Sequence, residues 1–313
     1  MSDVFTDEHV PDQDGRVVIV TGGNSGLGLN TAKVFAARGA RVVVACRNKK
    51  KAEDALAQIR AAAGEGADVQ AMDLDLSRLA SVRAFADAFL KEFNQLDLLI
   101  NNAGLMAIPK AKTADGFEMQ IGVNHFGHFA LTARLLPLLL ATPSSRVVTV
   151  SSGVHMMGKN DLFDDLDFTT VPYTPWVAYF QSKLANLHFA FELARRLHKA
   201  GSSTISVAAH PGYAATELQG KGATLGGSRA EAFFMTIGNA LFAQSGAAGA
   251  WPQLRAATDP KAINGDFFGP DGLGGMRGPA IKVEAGKHAY DPKTAKKLWD
   301  VSAARTGEVF RFE

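Results

Sequence analysis

The sequence predicts an α/β protein with a single doubly wound parallel sheet, helices on both faces of the sheet and a C-terminal extension. Two observations predict this class. From Gly15 onward, short runs of β-branched and other apolar residues alternate with longer runs of helical apolar periodicity. The short runs, such as 17–21 and 41–46, are almost continuously apolar, which is typical of strands buried on both faces. Ligands of such sheets bind at the carboxyl ends of the strands, near the point where the strand order reverses.

The periodicity places the elements along the chain. Strands are predicted at 17–21, 41–46, 69–74, 96–101, 146–151 and 204–209, with a last short strand at 266–268. Helices are predicted from the turn after the first strand to residue 38, and at 49–63, 79–93, about 115–140 and 177–199. Residues 273–313 contain one predicted helix, 292–304, and we interpret them as an extension packed on the same domain rather than as a second domain.

Composition excludes several classes of protein. The 33 Lys and Arg residues nearly balance the 31 Asp and Glu residues, and no basic run interleaves with aromatic residues, so we expect no nucleic-acid partner. The longest apolar helical run, 126–140, is interrupted by polar residues and is shorter than the roughly 20 residues of a membrane span, so we expect no span. The eight histidines lack the compact spacing of metal ligands, so we expect no metal site.

Two further features bear on where the protein works. The N-terminus is acidic and polar, whereas a secretory signal is basic and then apolar. The single cysteine, Cys46, cannot form a disulfide within the chain and lies in a predicted strand. Both features favour a reducing, cytoplasmic location.

A glycine-rich turn follows the first predicted strand. Gly22, Gly26 and Gly28 lie between this strand and a helical apolar pattern that begins at Leu29. Glycines let the backbone approach a pyrophosphate, and the free N–H groups at the start of the following helix attract its charge. The turn therefore predicts a nucleotide site in a Rossmann-like fold. Its spacing, G-x-x-x-G-x-G, differs from the standard G-x-G-x-x-G, and an ordinary glycine-rich loop is the alternative.

A tyrosine and a lysine are spaced for joint proton chemistry. Tyr179 and Lys183 lie four residues apart on one face of a predicted helix. A free phenol titrates at about 10, so it needs a nearby cation to exchange protons near neutral pH. Such pairs also arise by chance in many helices. Asn124, Ser151 and Ser152 are expected near the same sheet edge, although each can also be explained as a satisfied core amide or a hydroxyl bound to backbone.

Several motifs together resemble the classical short-chain dehydrogenase/reductase family over residues 15–272. They are Thr21-Gly22-x-x-x-Gly26-x-Gly28, Asn101-Asn102-Ala103-Gly104, Tyr179-x-x-x-Lys183 and Pro211-Gly212. The residues at 44–48, 75–77, 123–129 and 182–186 are similar to those of the retinol-dehydrogenase-like branch of that family. Members of this branch include reductases of retinoids, other lipophilic carbonyl compounds and protochlorophyllide. The resemblance therefore indicates the reaction better than the substrate.

The resemblance implies four catalytic residues. Tyr179 would be the proton donor in reduction and the proton acceptor in oxidation. Ser152 would hold the substrate oxygen, with Ser151 as the alternative. Lys183 would lower the pKa of the tyrosine and bind the nicotinamide ribose, and Asn124 would keep a water that links Lys183 to solvent.

The end of the second strand indicates which nicotinamide cofactor is preferred. Sites selective for NAD(H) place a carboxylate about 20 residues beyond the glycines to bind the ribose 2′-hydroxyl. This chain has Arg47 there, which suits a 2′-phosphate, so we expect NADP(H) rather than NAD(H), with an ordinary surface arginine as the alternative. The family pattern implies that Asp75 and Leu76 border the adenine, with Asp73 as an alternative. The cofactor-binding residues implied as a set are Gly22, Asn24, Ser25, Gly26, Leu27, Gly28, Arg47, Asn48, Asp75, Leu76, Asn102, Ala103, Gly104, Tyr179, Lys183, Pro211, Gly212 and Thr216.

The region after Pro211-Gly212 is expected to cover the substrate. In the family that the chain resembles, this region, about 213–245 here, forms a lid over the substrate. Apolar residues in it and near the tyrosine indicate a hydrophobic small molecule. The expected substrate contacts are His155, Met156, Trp176, Tyr213 and Phe233. The expected divisions of the chain are an N-terminal arm at 1–14, a dinucleotide-binding and catalytic domain at 15–272, and the extension at 273–313.

These features predict an NADP(H)-dependent oxidoreductase that interconverts a carbonyl and an alcohol on a hydrophobic small molecule. A reductase of an activated C=C bond would keep the same Tyr/Lys pair. A non-enzymatic nucleotide-sensing regulator is an alternative of another class. Assembly into a homo-oligomer through the Tyr/Lys helix is also open, because Leu187, Phe189 and Phe191 could face either a second copy or the core.

Overall fold

The computed structural model describes residues 4–212 and 245–312, and within them eight strands form one sheet. The strand order is β3-β2-β1-β4-β5-β6-β7-β8. The strands are β1 Val17–Thr21, β2 Arg41–Cys46, β3 Val69–Asp73, β4 Leu98–Asn101, β5 Arg146–Val150, β6 Ile205–Ala209, β7 Phe267–Gly272 and β8 Arg277–Lys282. Neighbouring strands from β1 to β7 pair in parallel, and β8 pairs with β7 in the antiparallel direction.

Helices cover both faces of this sheet. They are α1 Gly26–Ala37, α2 Lys49–Ala63, α3 Leu79–Glu92, α4 Met119–Ile121, α5 Gly127–Ala141, α6 Pro175–Lys199, α7 Gly246–Thr258 and α8 Pro292–Thr306. One face packs against α1, α2 and α7 through a core that includes Phe35, Ile59 and Leu254. The other face packs against α3, α5 and α6 through a core that includes Phe85 and Leu187. In the part of the chain that is described, no helix is both long and apolar enough to cross a bilayer.

Strand β1 lies at the centre of this arrangement. Val18 and Val20 belong to the first core and Ile19 to the second, so the strand is apolar at every one of these positions because both its faces are buried. It pairs with β2 on one side and with β4 on the other, so the strand order reverses between β1 and β4. The loops after these two strands lie side by side at the carboxyl end of the sheet, where doubly wound folds bind ligands.

The fourth helix begins later than predicted. The sequence predicts a helix from about residue 115, but α4 begins at Met119 and leads through a π-helical turn, Gly122–Phe126, into α5. Asp115 lies in a turn, where its carboxylate accepts a hydrogen bond of 2.8 Å from the N–H of Leu79, the first residue of α3. The Glu118 carboxylate accepts hydrogen bonds from two N–H groups of α4 and so marks the start of that helix.

The C-terminal extension contains a strand in addition to the predicted helix. Strand β7 continues beyond the predicted 266–268 as far as Gly272, and β8 returns beside it. The sequence does not indicate β8, because Gly278 and Pro279 are typical of turns. The last strand of a sheet tolerates such residues, since only one of its sides needs a complete hydrogen-bond ladder. A bridge between Phe5 and Ala280 places the N-terminal arm against this strand.

Helix α8 packs across α6. Trp299 of α8 stacks on Phe189 of α6 with ring centroids 5.9 Å apart, and Phe310 contacts both rings. The three apolar residues of α6 that could have faced a second copy, Leu187, Phe189 and Phe191, are all buried in the core of the same chain. The extension therefore covers part of the helix that bears the Tyr/Lys pair.

Candidate active site

A cavity of about 460 Å³ opens at the carboxyl ends of strands β1 to β6. Its volume lies in the range of ligand and cofactor sites, roughly 300–1,000 Å³. Most of the residues predicted for the site line it: Gly22, Asn24, Ser25, Gly26, Leu27, Gly28, Arg47, Asn48, Asp75, Leu76, Asn102, Ala103, Gly104, Ser152, Trp176, Tyr179, Lys183, Pro211 and Gly212. The fold thus brings widely separated segments of the chain to one wall.

The glycine turn after β1 is shaped by close backbone approach. Gly22 has a φ of +65°, in the left-handed region that other residues rarely adopt. A Cβ on Gly28 would lie 2.5 Å from Gly22 O and 2.6 Å from Asn102 Nδ2, so only glycine allows α1 to start this close to the turn. Helix α1 begins at Gly26, and the first N–H groups of a helix have no carbonyl partner within it. The turn therefore fits a pyrophosphate.

Thr21 holds this turn to the loop after β4. Its hydroxyl oxygen accepts hydrogen bonds of 2.9 Å from the N–H groups of Asn102 and Ala103. The Asn102 amide donates in return to Thr21 O over 2.8 Å. A Cβ on Gly104 would lie 3.5 Å from Lys183 Nζ. The segment 101–104 therefore connects the glycine turn with the lysine of the Tyr/Lys pair.

Tyr179 and Lys183 lie together on α6, and both line the cavity. Both side chains are buried, with Lys183 Nζ 5.8 Å from the centroid of the Tyr179 ring. Burial raises the pKa of the Tyr179 phenol to about 12, and the nearby Ser152 side chain opposes this increase. Burial lowers the pKa of the Lys183 ammonium to about 8. At neutral pH the site therefore holds a protonated phenol close to a cation that can stabilise its phenolate.

The two adjacent serines have different partners. Ser151 is buried, and its Oγ donates to Lys183 O over 2.8 Å. Ser152 is only partly buried, and its side chain lies close enough to Tyr179 to oppose the increase in the pKa of the phenol. Both serines line the cavity. The hydroxyl that lies beside the phenol is that of Ser152.

Asn124 lies behind the cavity wall, in the π-helical turn Gly122–Phe126. Its Oδ1 accepts a hydrogen bond of 2.7 Å from Leu105 N–H, and its Nδ2 donates over 2.9 Å to both Leu105 O and Ser182 Oγ. The amide is therefore satisfied, as a buried amide must be. These bonds connect the loop after β4 to α6, so Asn124 supports the part of the wall from which Tyr179 and Lys183 act.

Arg47 lies at another end of the cavity, directly after β2, with its side chain 64% exposed. Its guanidinium is 3.9 Å from the Asp75 carboxylate, which also accepts hydrogen bonds from the N–H and hydroxyl of Ser77. Of the two aspartates proposed to border the adenine, Asp75 lines the cavity. Asn48 caps α2, and Lys51 in the first turn of that helix also lines the cavity. Two basic side chains of the cavity lining thus lie near the N-terminus of α2.

The predicted substrate contacts lie in different environments. Trp176 lines the cavity and meets the Tyr179 ring edge-on, with centroids 6.2 Å apart. Met156 is 61% exposed and does not line the described part of the cavity. His155 is the buried residue of the turn Gly153–Met157, and it also does not line the described part of the cavity. The remaining predicted residues of this end of the site lie outside the described residues: Tyr213, Thr216 and Phe233.

Further apolar side chains that the sequence does not single out also line the cavity, among them Leu105, Met106, Val123 and Val154. Together with Trp176 they make part of the wall apolar. Among the described residues, no three His, Cys, Asp or Glu side chains are grouped so that they could hold a metal ion.

Comparison with known proteins decides the family. The model of the family described as short chain dehydrogenase matches residues 16–163. Human retinol dehydrogenase 13 is 42% identical to this chain over 299 residues, which cover 94% of the chain and 85% of that protein. The chain belongs to the short-chain dehydrogenase family.

Further relatives place this short-chain dehydrogenase in the retinol-dehydrogenase-like branch. Human retinol dehydrogenase 12 is 40% identical over 297 residues, which cover 94% of this chain and 87% of that protein. A solved structure of an uncharacterized protein from Mycobacterium paratuberculosis is 40% identical, superposes with a TM-score of 0.79, and is matched over 98% of this chain and 99% of that one. The resemblance and the fold class predicted from the sequence are confirmed. The protein is an oxidoreductase that acts on CH–OH and C=O groups.

One buried histidine supports the site of this short-chain dehydrogenase without having been predicted. His128 Nδ1 lies 3.1 Å from the carbonyl oxygen of Asn124, which can only accept, so Nδ1 carries the proton. The other nitrogen, Nε2, then accepts from the Thr21 hydroxyl 2.9 Å away. Burial lowers the pKa of His128 to about 4, which keeps the ring neutral as this pattern requires. In the sequence, the feature that could have indicated this role is the position of His128 one helical turn after Asn124.

Gln120 is a second supporting residue that the sequence does not single out. It is fully buried, and its Oε1 accepts a hydrogen bond of 2.8 Å from Ala107 N–H in the loop after β4. Its Nε2 donates over 2.9 Å to Pro175 O, at the start of α6. Gln120 therefore connects the loop after β4 to the start of α6, next to Met106 and Trp176 of the cavity lining. No pattern in the sequence distinguishes it from an ordinary glutamine of a helix.

Proposed function

We propose that this short-chain dehydrogenase is an NADP(H)-dependent oxidoreductase that interconverts a carbonyl and an alcohol on a hydrophobic small molecule, with Tyr179 as the general acid and base. One observation carries the proposal. A single cavity is lined both by a glycine turn suited to a pyrophosphate and by Ser152, Tyr179 and Lys183. A cofactor and a substrate oxygen can therefore meet in one place.

The cofactor would be held by residues along the cavity. The glycine turn would take the pyrophosphate, because a Cβ at Gly28 would fill the space beside Gly22 and no other residue leaves that space open. Lys183 would bind the nicotinamide ribose, as the family resemblance implies. When bound, the cofactor supplies or accepts the hydride.

Charge after β2 supports NADP(H) over NAD(H). The residues that follow the strand are Arg47 and Asn48, so the carboxylate that binds a free 2′-hydroxyl is missing from that position. Arg47 and Lys51 both line this end of the cavity, next to the positive N-terminus of α2. A planar guanidinium binds a phosphate through two parallel hydrogen bonds. The nearby Asp75 carboxylate is engaged by Ser77 and lies within ion-pair distance of Arg47.

Proton transfer would pass through the phenol. Tyr179 would give its proton to the carbonyl oxygen in reduction and take it back in oxidation. Ser152, whose side chain lies beside Tyr179 in the cavity lining, would hold the same oxygen. The phenolate left behind would lie near the buried Lys183 ammonium, and in a buried site that opposite charge lowers the free energy of losing the proton.

The cavity wall supports a hydrophobic substrate. Leu105, Met106, Val154 and Trp176 all line the cavity that contains the phenol. Burying apolar substrate surface against such side chains contributes about 25 cal/mol per Å². The retinol dehydrogenases to which this chain is similar are named for a lipophilic alcohol, which agrees with such a substrate.

The proposal is tested by following NADPH oxidation by the purified protein with a panel of apolar aldehydes, ketones, quinones and enones. We expect turnover with carbonyl compounds, alcohols as products, and a lower rate with NADH at equal concentration. Reduction of enones to saturated ketones alone would assign the C=C chemistry instead. NADPH binding without oxidation across the whole panel would favour a nucleotide sensor.

A further inference from the structure

The His155 side chain joins the turn after Ser152 to the C-terminal extension. One ring nitrogen, Nδ1, lies 2.7 Å from the carbonyl oxygen of Ser152. The other, Nε2, accepts a hydrogen bond of 3.0 Å from the N–H of Gly286. The ring is 2% exposed and packs edge-on against Phe267 of β7, with centroids 5.7 Å apart. Both polar atoms of this histidine are therefore used inside the protein.

The partners of His155 fix where its proton is. Gly286 N–H can only donate, so Nε2 must accept and carries no proton. The Ser152 carbonyl can only accept, so Nδ1 must carry the proton. Burial lowers the pKa of His155, which favours this neutral form. The His155 imidazole thus links the extension to the backbone of Ser152 through two hydrogen bonds.

A second set of bonds runs beside this connection. His288 Nε2 lies 3.2 Å from the carbonyl oxygen of His155, and Asn160 Nδ2 donates to His288 O over 3.1 Å. The extension is itself anchored, because β8 pairs with β7 and α8 packs on α6. The turn Gly153–Met157 is therefore held by a segment more than a hundred residues away in sequence.

We propose that His155 is a positioning residue that holds the Ser152 hydroxyl beside Tyr179 by fixing the Ser152 carbonyl to the C-terminal extension. The inference rests on the proposed carbonyl–alcohol activity and deepens it. The backbone on both sides of the Ser152 Cα sets the direction of its side chain. The imidazole of His155 binds the carbonyl, and the hydroxyl lies close enough to Tyr179 to oppose the increase in the pKa of the phenol. Loss of the imidazole removes one of two hydrogen bonds to this carbonyl, since the backbone N–H of His155 also donates to it over 3.0 Å. The carbonyl is then no longer tied to the extension through the ring, and the hydroxyl samples positions away from the phenol.

The test is a double-mutant cycle with His155→Leu and Ser152→Ala. In the wild-type background we expect H155L to lower kcat by about tenfold, the scale of a displaced catalytic group, and to leave the KM for NADPH within about twofold. In the S152A background, where no hydroxyl remains to be placed, we expect H155L to change kcat by less than about twofold. An equal loss of kcat in both backgrounds would overturn the proposal, as would a parallel loss of NADPH affinity. The control is His198→Leu at an exposed histidine near the end of α6, which should leave kcat unchanged.

A measurement without substrate tests the same connection. Hydrogen–deuterium exchange should become at least about fivefold faster in peptides covering both 283–290 and 151–158 when His155 is replaced by leucine, because one hydrogen bond to each segment is lost. Unchanged exchange in 151–158 would overturn the connection even if kcat fell. If H155L does not fold, H155Q replaces it, since the amide can still accept from Gly286 while the donor to Ser152 is displaced. An inactive wild type would refute the proposed function, and the exchange result would still decide the connection.

Discussion

Burial acts in opposite directions on the two ionisable groups of the Tyr/Lys pair. It raises the pKa of Tyr179 to about 12 and lowers that of Lys183 to about 8. The first change keeps the proton on the phenol, where a reductase needs it. The second change leaves the lysine charged at neutral pH, although its pKa of about 8 is only slightly above that pH. In the proposed mechanism the two side chains act together, because the Lys183 cation would lower the free energy of forming the Tyr179 phenolate.

Removal of the phenol hydroxyl tests the role of Tyr179. We expect Tyr179→Phe to lower kcat by at least about a hundredfold, because a general acid contributes on that scale. NADPH affinity should change little, since the glycine turn and the end of β2 are untouched. Steady-state kinetics and fluorescence titration with NADPH measure the two effects. Turnover that stays within about threefold of wild type would remove Tyr179 from the mechanism.

Reversal of charge at Arg47 tests cofactor preference. We expect Arg47→Glu to raise the KM for NADPH by at least about tenfold and to narrow or reverse the preference over NADH, since a carboxylate repels a 2′-phosphate and accepts from a 2′-hydroxyl. Lys50→Glu makes the same change of charge at a neighbouring exposed residue and should leave the preference intact. Equal discrimination by wild type and R47E would exclude Arg47 from the cofactor site.

Two features of individual residues in the site depend on the tertiary structure and not on local sequence. Ser151 and Ser152 are the same residue type, so their chemistry does not distinguish them. The backbone direction at the end of β5 places the Ser152 hydroxyl beside the phenol and the Ser151 hydroxyl against Lys183 O. His155 was expected to contact substrate because it lies close to the active site in sequence. The structure buries it instead, because its partner Gly286 comes from a segment whose position cannot be read from local sequence.

At the scale of elements, the close contact between the glycine turn and α1 shapes the site that we propose for the cofactor pyrophosphate. We expect Gly28→Ala to lower NADPH affinity by at least about tenfold, because the added Cβ would lie 2.5 Å from Gly22 O and push the helix away from the turn. Gly66→Ala is a matched control, since a Cβ there meets nothing within 4 Å. Equal affinity of G28A and G66A, measured by calorimetry, would contradict the assignment of the turn to the pyrophosphate.

Elements with strong local patterns were predicted well. Strands β1 and β2 and helix α2 have the predicted bounds, because apolar continuity and helical period are properties of a short stretch of chain. The start of α4 was predicted four residues too early, since Asp115 serves the N–H of Leu79 in another helix. Strand β8 was missed for a related reason. The pairing of β8 with β7 and its position at the edge of the sheet are set by the tertiary structure, whereas its own residues are typical of a turn.

At the scale of the whole molecule, buried histidines make the fold sensitive to mild acid. Burial lowers the pKa of His125 to about 3, and of His128, His188 and His210 to about 4. In the unfolded chain these groups titrate at about 6.5, so between pH 6.5 and about 4 the unfolded state binds more protons than the folded state. The contribution of these histidines to the free energy of unfolding is therefore fully present above about pH 6.5. Below that pH it decreases by up to about 1.4 kcal/mol for each histidine and each unit of pH.

Thermal unfolding at pH 7.5 and pH 5.5 measures this effect. We expect the Tm to be lower at pH 5.5 by roughly 5 °C or more, with the heat-capacity change nearly constant. His198→Asn, at an exposed position, should keep the full dependence. A Tm that is the same at both pH values would show that the four histidines bind protons equally in the folded and unfolded chain.

The C-terminal extension changes which surfaces are available at this scale. Helix α8 covers Phe189 of α6 with Trp299, so the apolar face that could have met a second copy is internal. Any assembly of copies must use another surface or displace α8. The extension thus serves as a cover for α6 and, through Gly286, as a support for the turn that follows Ser152.

The sole thiol of the chain lies in the cavity wall, where β2 ends beside Arg47. Burial raises the pKa of Cys46, so alkylation is slow and its rate depends on how often a reagent enters. The labelling rate of this thiol can therefore report whether the cavity is occupied. We expect saturating NADPH to slow labelling by iodoacetamide at least about fivefold in the wild type, and much less in G28A at the same NADPH concentration. Mass spectrometry of one peptide would then report cofactor binding without any knowledge of the substrate.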